Sequence, residues 1–135
     1  PEAVALCEAG RARGLTRLRT HAGRYSPDEI AAITATGAYA EFSFFLLSHA
    51  TQVGLTHADA EKHRIEGDTI HSLAPRIRAA DNRAIVSSDA GVFLLAPPVE
   101  AFREFLLLLE SAGFTEAEIR RMNTANPAAL FGITL

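Results

Sequence analysis

Apolar positions along the chain recur in two rhythms, one close to the helical 3.6 and one close to the alternating two of a strand. Residues 2–13 set Val4, Leu6 and the small Ala3, Ala5 and Ala9 on a helical pattern, and Gly14 is a natural stop. LTRLRTHAG (15–23) alternates imperfectly and reads as a short strand ending in His-Ala-Gly. SPDEIAAITATG is a clear helix signal: Ser26 is placed to cap, Pro27 suits the first helical position, and Glu29 completes a capping box. Ile30 and Ile33 share a face there, and Gly37 ends the helix. AYAEFSFF (38–45) follows as an aromatic-rich strand with Glu41 in its middle.

The second half repeats the alternation. Residues 46–70 form a polar, His-bearing excursion with weak helix signals. DTIHSLAPRIRAAD (68–81) starts as a helix that Pro75 is expected to kink or restart. Asn82 and Arg83 turn the chain into AIVSSDAG, a β-branched run with Asp89 at its tip. After Pro97-Pro98, a helix over 98–112 aligns Val99, Phe102, Phe105, Leu106 and Leu109 in one stripe, with Gly113 as its cap. Thr115 and Glu118 form another capping box, for a helix running to about Thr124, and Asn126 is expected to cap a short turn beginning at Pro127.

Strands alternating with helices predict an α/β class built of parallel βαβ units in a single domain over 1–135. Three strands make a very small parallel sheet with two open edges. The chain also opens at Pro1 directly into a helical pattern, without an initiator Met, so it is expected to be a piece of a longer protein.

Composition narrows the function classes. The 135 residues are 48% hydrophobic and 21% charged, enough apolar material for one core. A formal charge of −3 provides no basic face, so no nucleic-acid partner is expected. No apolar run approaches the roughly 18 residues that span a bilayer, and none resembles a signal peptide, so no membrane partner is expected. Cys7 is the sole cysteine; it permits no internal disulfide or CxxC knuckle and fits a reducing, cytoplasmic setting.

Candidate chemistry collects where parallel sheets place it, beyond the carboxyl ends of the strands. His21 ends the first strand and Asp89 the third, each followed by a small residue and a glycine. A His and an Asp converging from different strands can share a divalent metal or act as an acid–base pair. Both also have structural readings: His21 as a loop hydrogen-bonding group, and Asp89 as the Asx residue of a turn. Glu41 suggests an ion pair with Arg17 or Arg19 on a neighbouring strand. His49, His57, His63 and His71 lack the i,i+4 spacing of a helical zinc pair and read as surface residues, His49 least securely.

THAG closing a strand, the polar strand YAEFSF, then AIVSSDAG, and finally FTEAEIRRMNTANPAALFGI together resemble the C-terminal part of an amidohydrolase-superfamily metal-dependent hydrolase. The resemblance covers nearly the whole chain and is weakest over 46–70. It implies a (β/α)8 TIM barrel of which this chain supplies the last three strands with their flanking helices. It further implies a divalent metal, most commonly zinc, with Asp89 as a ligand that also takes a proton from the attacking water. His21 is implied as a metal ligand or a substrate contact, and Asn126, Pro127 and Ala128 as structural. The family's His-x-His does not occur here. A catalytic zinc needs three protein ligands and an open position, so the remaining ligands are expected from the rest of the barrel or another copy of the chain.

The function so implied is hydrolysis of an amide, ester or related bond in a small-molecule substrate by a metal-activated water. Decarboxylation on the same barrel is one alternative. The other is a non-enzymatic α/β interaction module in which Asp89 is a turn residue. A flavodoxin-like or receiver domain ranks last, because THAGRYSPDE has neither an acidic cluster nor a glycine-rich phosphate loop.

Overall fold

The computed structural model describes residues 2–48, 68–91 and 95–135. Its described elements are α1 (Glu2–Ala12), β1 (Arg19–His21), α2 (Pro27–Ala35), β2 (Tyr39–Ser43), α3 (Ile70–Ala79), β3 (Ala84–Ser87), α4 (Pro98–Ser111), α5 (Glu116–Arg120) and α6 (Asn126–Phe131). The three strands form one wholly parallel sheet in the order β1-β2-β3. The α/β class expected from the alternation is therefore observed, as is a sheet with one outer edge on β1 and another on β3.

Capping chemistry sets several boundaries. Ser26 and Glu29 form the expected reciprocal box at α2, and Thr115 and Glu118 form the other at α5. The start of α3 uses a box that sequence reading overlooked: Thr69 accepts from the Ser72 amide, and Ser72 accepts in return from the Thr69 amide. Pro75 neither kinks α3 to an end nor restarts it; the helix runs from Ile70 to Ala79. Its missing N–H would have met the carbonyl of His71, an exposed residue, where water can serve as donor instead.

Two strands are shorter than their sequence signals. Expected over 15–23, β1 covers only Arg19–His21, because the amides of Gly14 and Leu15 close the end of α1 on the carbonyls of Arg11 and Gly10. Expected over 38–45, β2 stops at Ser43 and passes into a 3-10 turn over Phe44–Leu47 that buries Phe44 and Leu46. The excursion over 46–70 lies mostly outside the described residues, and His49, His57 and His63 with it.

The last helices differ most from expectation. Residues 116–131 wind continuously as α5, a π-helical segment over Arg121–Ala125, and α6. Pro127 has no N–H, and its ring crowds the carbonyl four residues earlier; the chain widens there, with the Asn126 amide reaching back to Arg121. Asn126 therefore caps nothing. Its buried side-chain amide instead donates 2.8 Å to the Asn82 carbonyl and 2.7 Å to that of Ala84, fastening the helix to the start of β3. At the far end of α6, Arg17 donates to the Phe131 carbonyl, so the same helix also reaches the chain ahead of β1.

Strand alternation divides the sheet into two unlike faces. Ala22, Ala40, Phe42, Ala84 and Val86 point one way and join Ile30 of α2, Leu73 and Ile77 of α3, and Ala101, Phe105 and Leu109 of α4 in the principal core. The α4 stripe is thus centred on Ala101, Phe105 and Leu109, while Val99 lies outside it at 76% exposure. Cys7 of α1 approaches Thr20 on this same face and packs with Ile33 and Ala38. The opposite face carries Arg19, His21, Tyr39, Glu41, Ser43, Ile85 and Ser87, placed side by side by the registers His21 with Glu41, Glu41 with Ile85, and Ser43 with Ser87.

Candidate functional site at the carboxyl ends of the strands

His21 and Asp89 both lie where the sequence places them, at the carboxyl end of the sheet. His21 is the last residue of β1 and is exposed. The chain behind it is firmly held: the Ala22 amide donates 2.8 Å to the Glu41 carbonyl, and the Tyr25 amide donates to Ala22. Gly23 allows Leu46 to pack where a side chain would stand; a Cβ there would lie 1.9 Å from Leu46 Cδ1. Arg76, reaching over from α3, donates to the Gly23 carbonyl and pairs with Asp68. The loop carrying His21 is therefore fixed by groups from three other segments.

Asp89 stands two residues past β3 and is exposed, so the carboxylate at the tip of this β-branched run lies at the surface. It has a positive φ of 48°, a conformation that Asp tolerates better than most residues because its short side chain interacts locally. The turn bond itself comes from Ser88, whose hydroxyl accepts from the Ala90 amide at 3.4 Å.

Electrostatics couple the two candidates. The pKa of His21 lies below the usual imidazole value, first because neighbouring protein removes water from a residue that is otherwise exposed. The Asp89 carboxylate opposes this shift, and the Arg19 and Arg24 guanidiniums add to it. Asp89 is thus near enough to act on His21 through space, and His21 is held toward its neutral form, the form that offers a lone pair to a metal. Among the described residues, no group of three or more His, Cys, Asp or Glu side chains is arranged to hold a metal.

The remaining polar residues of this face divide into paired and unpaired. Glu41 makes the anticipated ion pair with Arg19 rather than Arg17, across the β1–β2 boundary. The contact is between Arg19 Nη1 and Glu41 Oε2 and lacks hydrogen-bond geometry. Ser43 and Ser87, side by side at the ends of β2 and β3, have buried hydroxyl oxygens that find no hydrogen-bond partner among the described residues. A buried hydroxyl left unsatisfied costs about 1–3 kcal/mol, so two in register stand out. Sequence reading missed Ser43 altogether; the signal was a polar residue in a strand at the same parity as Glu41. His71, in the first turn of α3, is exposed as expected of a surface histidine.

No protein-family model, curated protein or solved structure matches the chain. Among the described residues, no helix is long and apolar enough to cross a membrane.

Proposed function

We propose that this chain forms three consecutive strands of an amidohydrolase-type (β/α)8 barrel, the metal-dependent hydrolase that its sequence resembles. One observation carries the reading. The strands are parallel and ordered as in the sequence, α1 to α4 pack on a single face, and the other face carries mostly polar residues beside Tyr39 and the buried Ile85, with His21 and Asp89 at its carboxyl end. A doubly wound sheet would need helices on both faces, whereas a barrel needs them only outside.

His21 and Asp89 suit two positions of a divalent-metal site in donor type, and the low pKa of His21 favours the neutral ligand form. Further ligands and the closing strands come from beyond the described residues or from another chain. When bound, zinc supplies Lewis acidity and lowers the pKa of its water toward about 7. The work of this chain's own residues is then proton transfer and charge stabilisation. Asp89, an exposed carboxylate, receives the proton of the attacking water, and neutral His21 retains an N–H to direct at the substrate oxygen that gains charge. The substrate is a small molecule and the setting cytoplasmic.

Zinc titrated into the full chain, with the imidazole signals of His21 followed by NMR, tests this reading. Those signals should shift saturably, and Asp89→Asn should weaken the zinc affinity by at least about tenfold, as loss of a direct ligand would. An unmoved His21, or equal affinity in Asp89→Asn, rejects it. The exposure and positive φ of Asp89 favour a second reading, the interaction module in which Asp89 only turns the chain.

A further inference from the structure

We propose that the cavity at the amino end of β3, between the end of α3 and the π-helical turn, is a binding site for a free α-amino acid with a medium-sized aliphatic side chain. Asp81, which lines it, precedes β3, so the cavity lies at the opposite end of that strand from Asp89 and is independent of the proposed metal site. Its volume is about 150 Å³. Sites for drug-sized molecules run to roughly 300–1,000 Å³, so the occupant here is small. Ile77, Phe114 and Met122 form the apolar floor, and all three belong to buried core positions that the fold itself fixes. Arg78, Asp81, Glu118 and Arg121 stand around the mouth.

The four charges balance, but only two are committed to each other. Glu118 faces Arg78 at 3.6 Å and caps α5 through its other carboxylate oxygen. Arg78 also lies 4.1 Å over the Phe114 ring and donates 3.1 Å to the Gly113 carbonyl. Arg121 and Asp81, by contrast, join no ion pair among the described residues. Each meets one end of the Asn82 side chain: Arg121 donates to its amide oxygen, and its amide nitrogen donates 3.1 Å to Asp81. A neutral carboxamide thus holds a guanidinium and a carboxylate side by side but apart, both with hydrogen-bonding capacity left over. An α-amino acid carries the complementary charges close together. Its carboxylate suits the planar fork of Arg121, and its ammonium suits Asp81. The side chain on the same carbon then covers the apolar floor. Arg121 and Met122 open the π-helical segment, and such turns are rare and occur frequently at functional sites.

L-Leucine is the probe, titrated into the full chain and followed by amide NMR, beside isocaproate, which lacks the ammonium, isoamylamine, which lacks the carboxylate, and glycine, which lacks the side chain. Leucine should cause saturable shifts at Asp81, Phe114 and Met122. Each of the other three should bind at least about tenfold more weakly, as loss of one charge-assisted contact or of the apolar contact would produce. Asp81→Asn retains a residue type that tolerates the φ of 49° found there, and Arg121→Gln retains a good helix former, so both variants should stay folded. Each should weaken leucine binding by at least about tenfold. Absence of saturation, equal binding of isocaproate, isoamylamine or glycine, or unchanged leucine affinity in either variant would overturn the site. Zinc reports on His21 and Asp89, and leucine on the other end of β3, so the two readings can fail separately.

Discussion

Asn126 is the residue whose removal should cost this fold most for its size. Its side chain is buried, and its two amide hydrogens go to two backbone carbonyls, those of Asn82 at 2.8 Å and Ala84 at 2.7 Å. Truncation to Ala removes both bonds and leaves the buried carbonyl of Ala84 without this donor, while that of Asn82, an exposed residue, loses a part-buried one. A hydrogen bond contributes about 1 kcal/mol net, and an acceptor left unsatisfied when buried costs about 1–3 kcal/mol, so Asn126→Ala should lose about 2–4 kcal/mol. With a urea m-value of about 2 kcal/mol/M, the unfolding midpoint should fall by about 1–2 M. Far-UV circular dichroism in a urea series measures it. Asn126→Asp is the sharper control: it keeps the shape, cannot donate in its ionised form, and sets a carboxylate against two carbonyl oxygens. It should be at least as damaging as Ala. A loss below about 0.5 kcal/mol in Asn126→Ala, the range of an ordinary surface change, would refute the view that this amide ties α6 to β3.

Other outcomes follow from the same contacts. Gly23→Ala should destabilise by about 1–3 kcal/mol, since the new methyl collides with buried Leu46; thermal unfolding checks it, and an unchanged midpoint would show that Leu46 moves aside freely. Ser26→Ala should cost about 1 kcal/mol by removing one half of the α2 capping box, readable in the same melts. His21 should titrate by NMR below the usual imidazole pKa of about 6.5. Because its folded pKa is depressed, the unfolded chain binds the proton more readily. The stability due to neutral His21 is therefore complete above about pH 6.5 and is lost as pH falls through the folded value, and His21→Gln should flatten that slope.

Local signals were legible in the sequence wherever neighbouring residues alone decide the structure. Ser26-Pro27 with Glu29, and Thr115 with Glu118, encode caps that need no distant partner, and both are present. Glycines at the ends of α1 and α2 likewise adopt positive φ, 82° at Gly14 and 89° at Gly37. Strand lengths were less legible, because aromatic Phe44 and Phe45 suit a strand or a tight turn equally and tertiary packing chooses between them. The apolar stripe of α4 was legible except at its start: Phe105 and Leu109 are core and Phe102 and Leu106 pack against it, but the small Ala101 is core whereas the larger Val99 faces outward. His21 and Asp89 were found from their places after strands. Ser43 and Ser87 emerge only from register, which no single strand contains.

The two-faced sheet has a consequence for how substitutions are tolerated. A library of variants sorted for abundance should show a period of two along β1 and from Tyr39 to Phe42 of β2, whereas Ser43 and Ile85, buried on the face opposite the helices, break it. Ala40, Phe42, Ala84 and Val86 should accept little, since they fill the space between sheet and helices. Arg19, His21 and Ser87, on the other face, should accept much, because the fold asks little of them. Whatever the polar face does for the cell is thus free to diverge without endangering the chain's ability to fold. A second sorting of the same library by function should light up the residues that the first left dark.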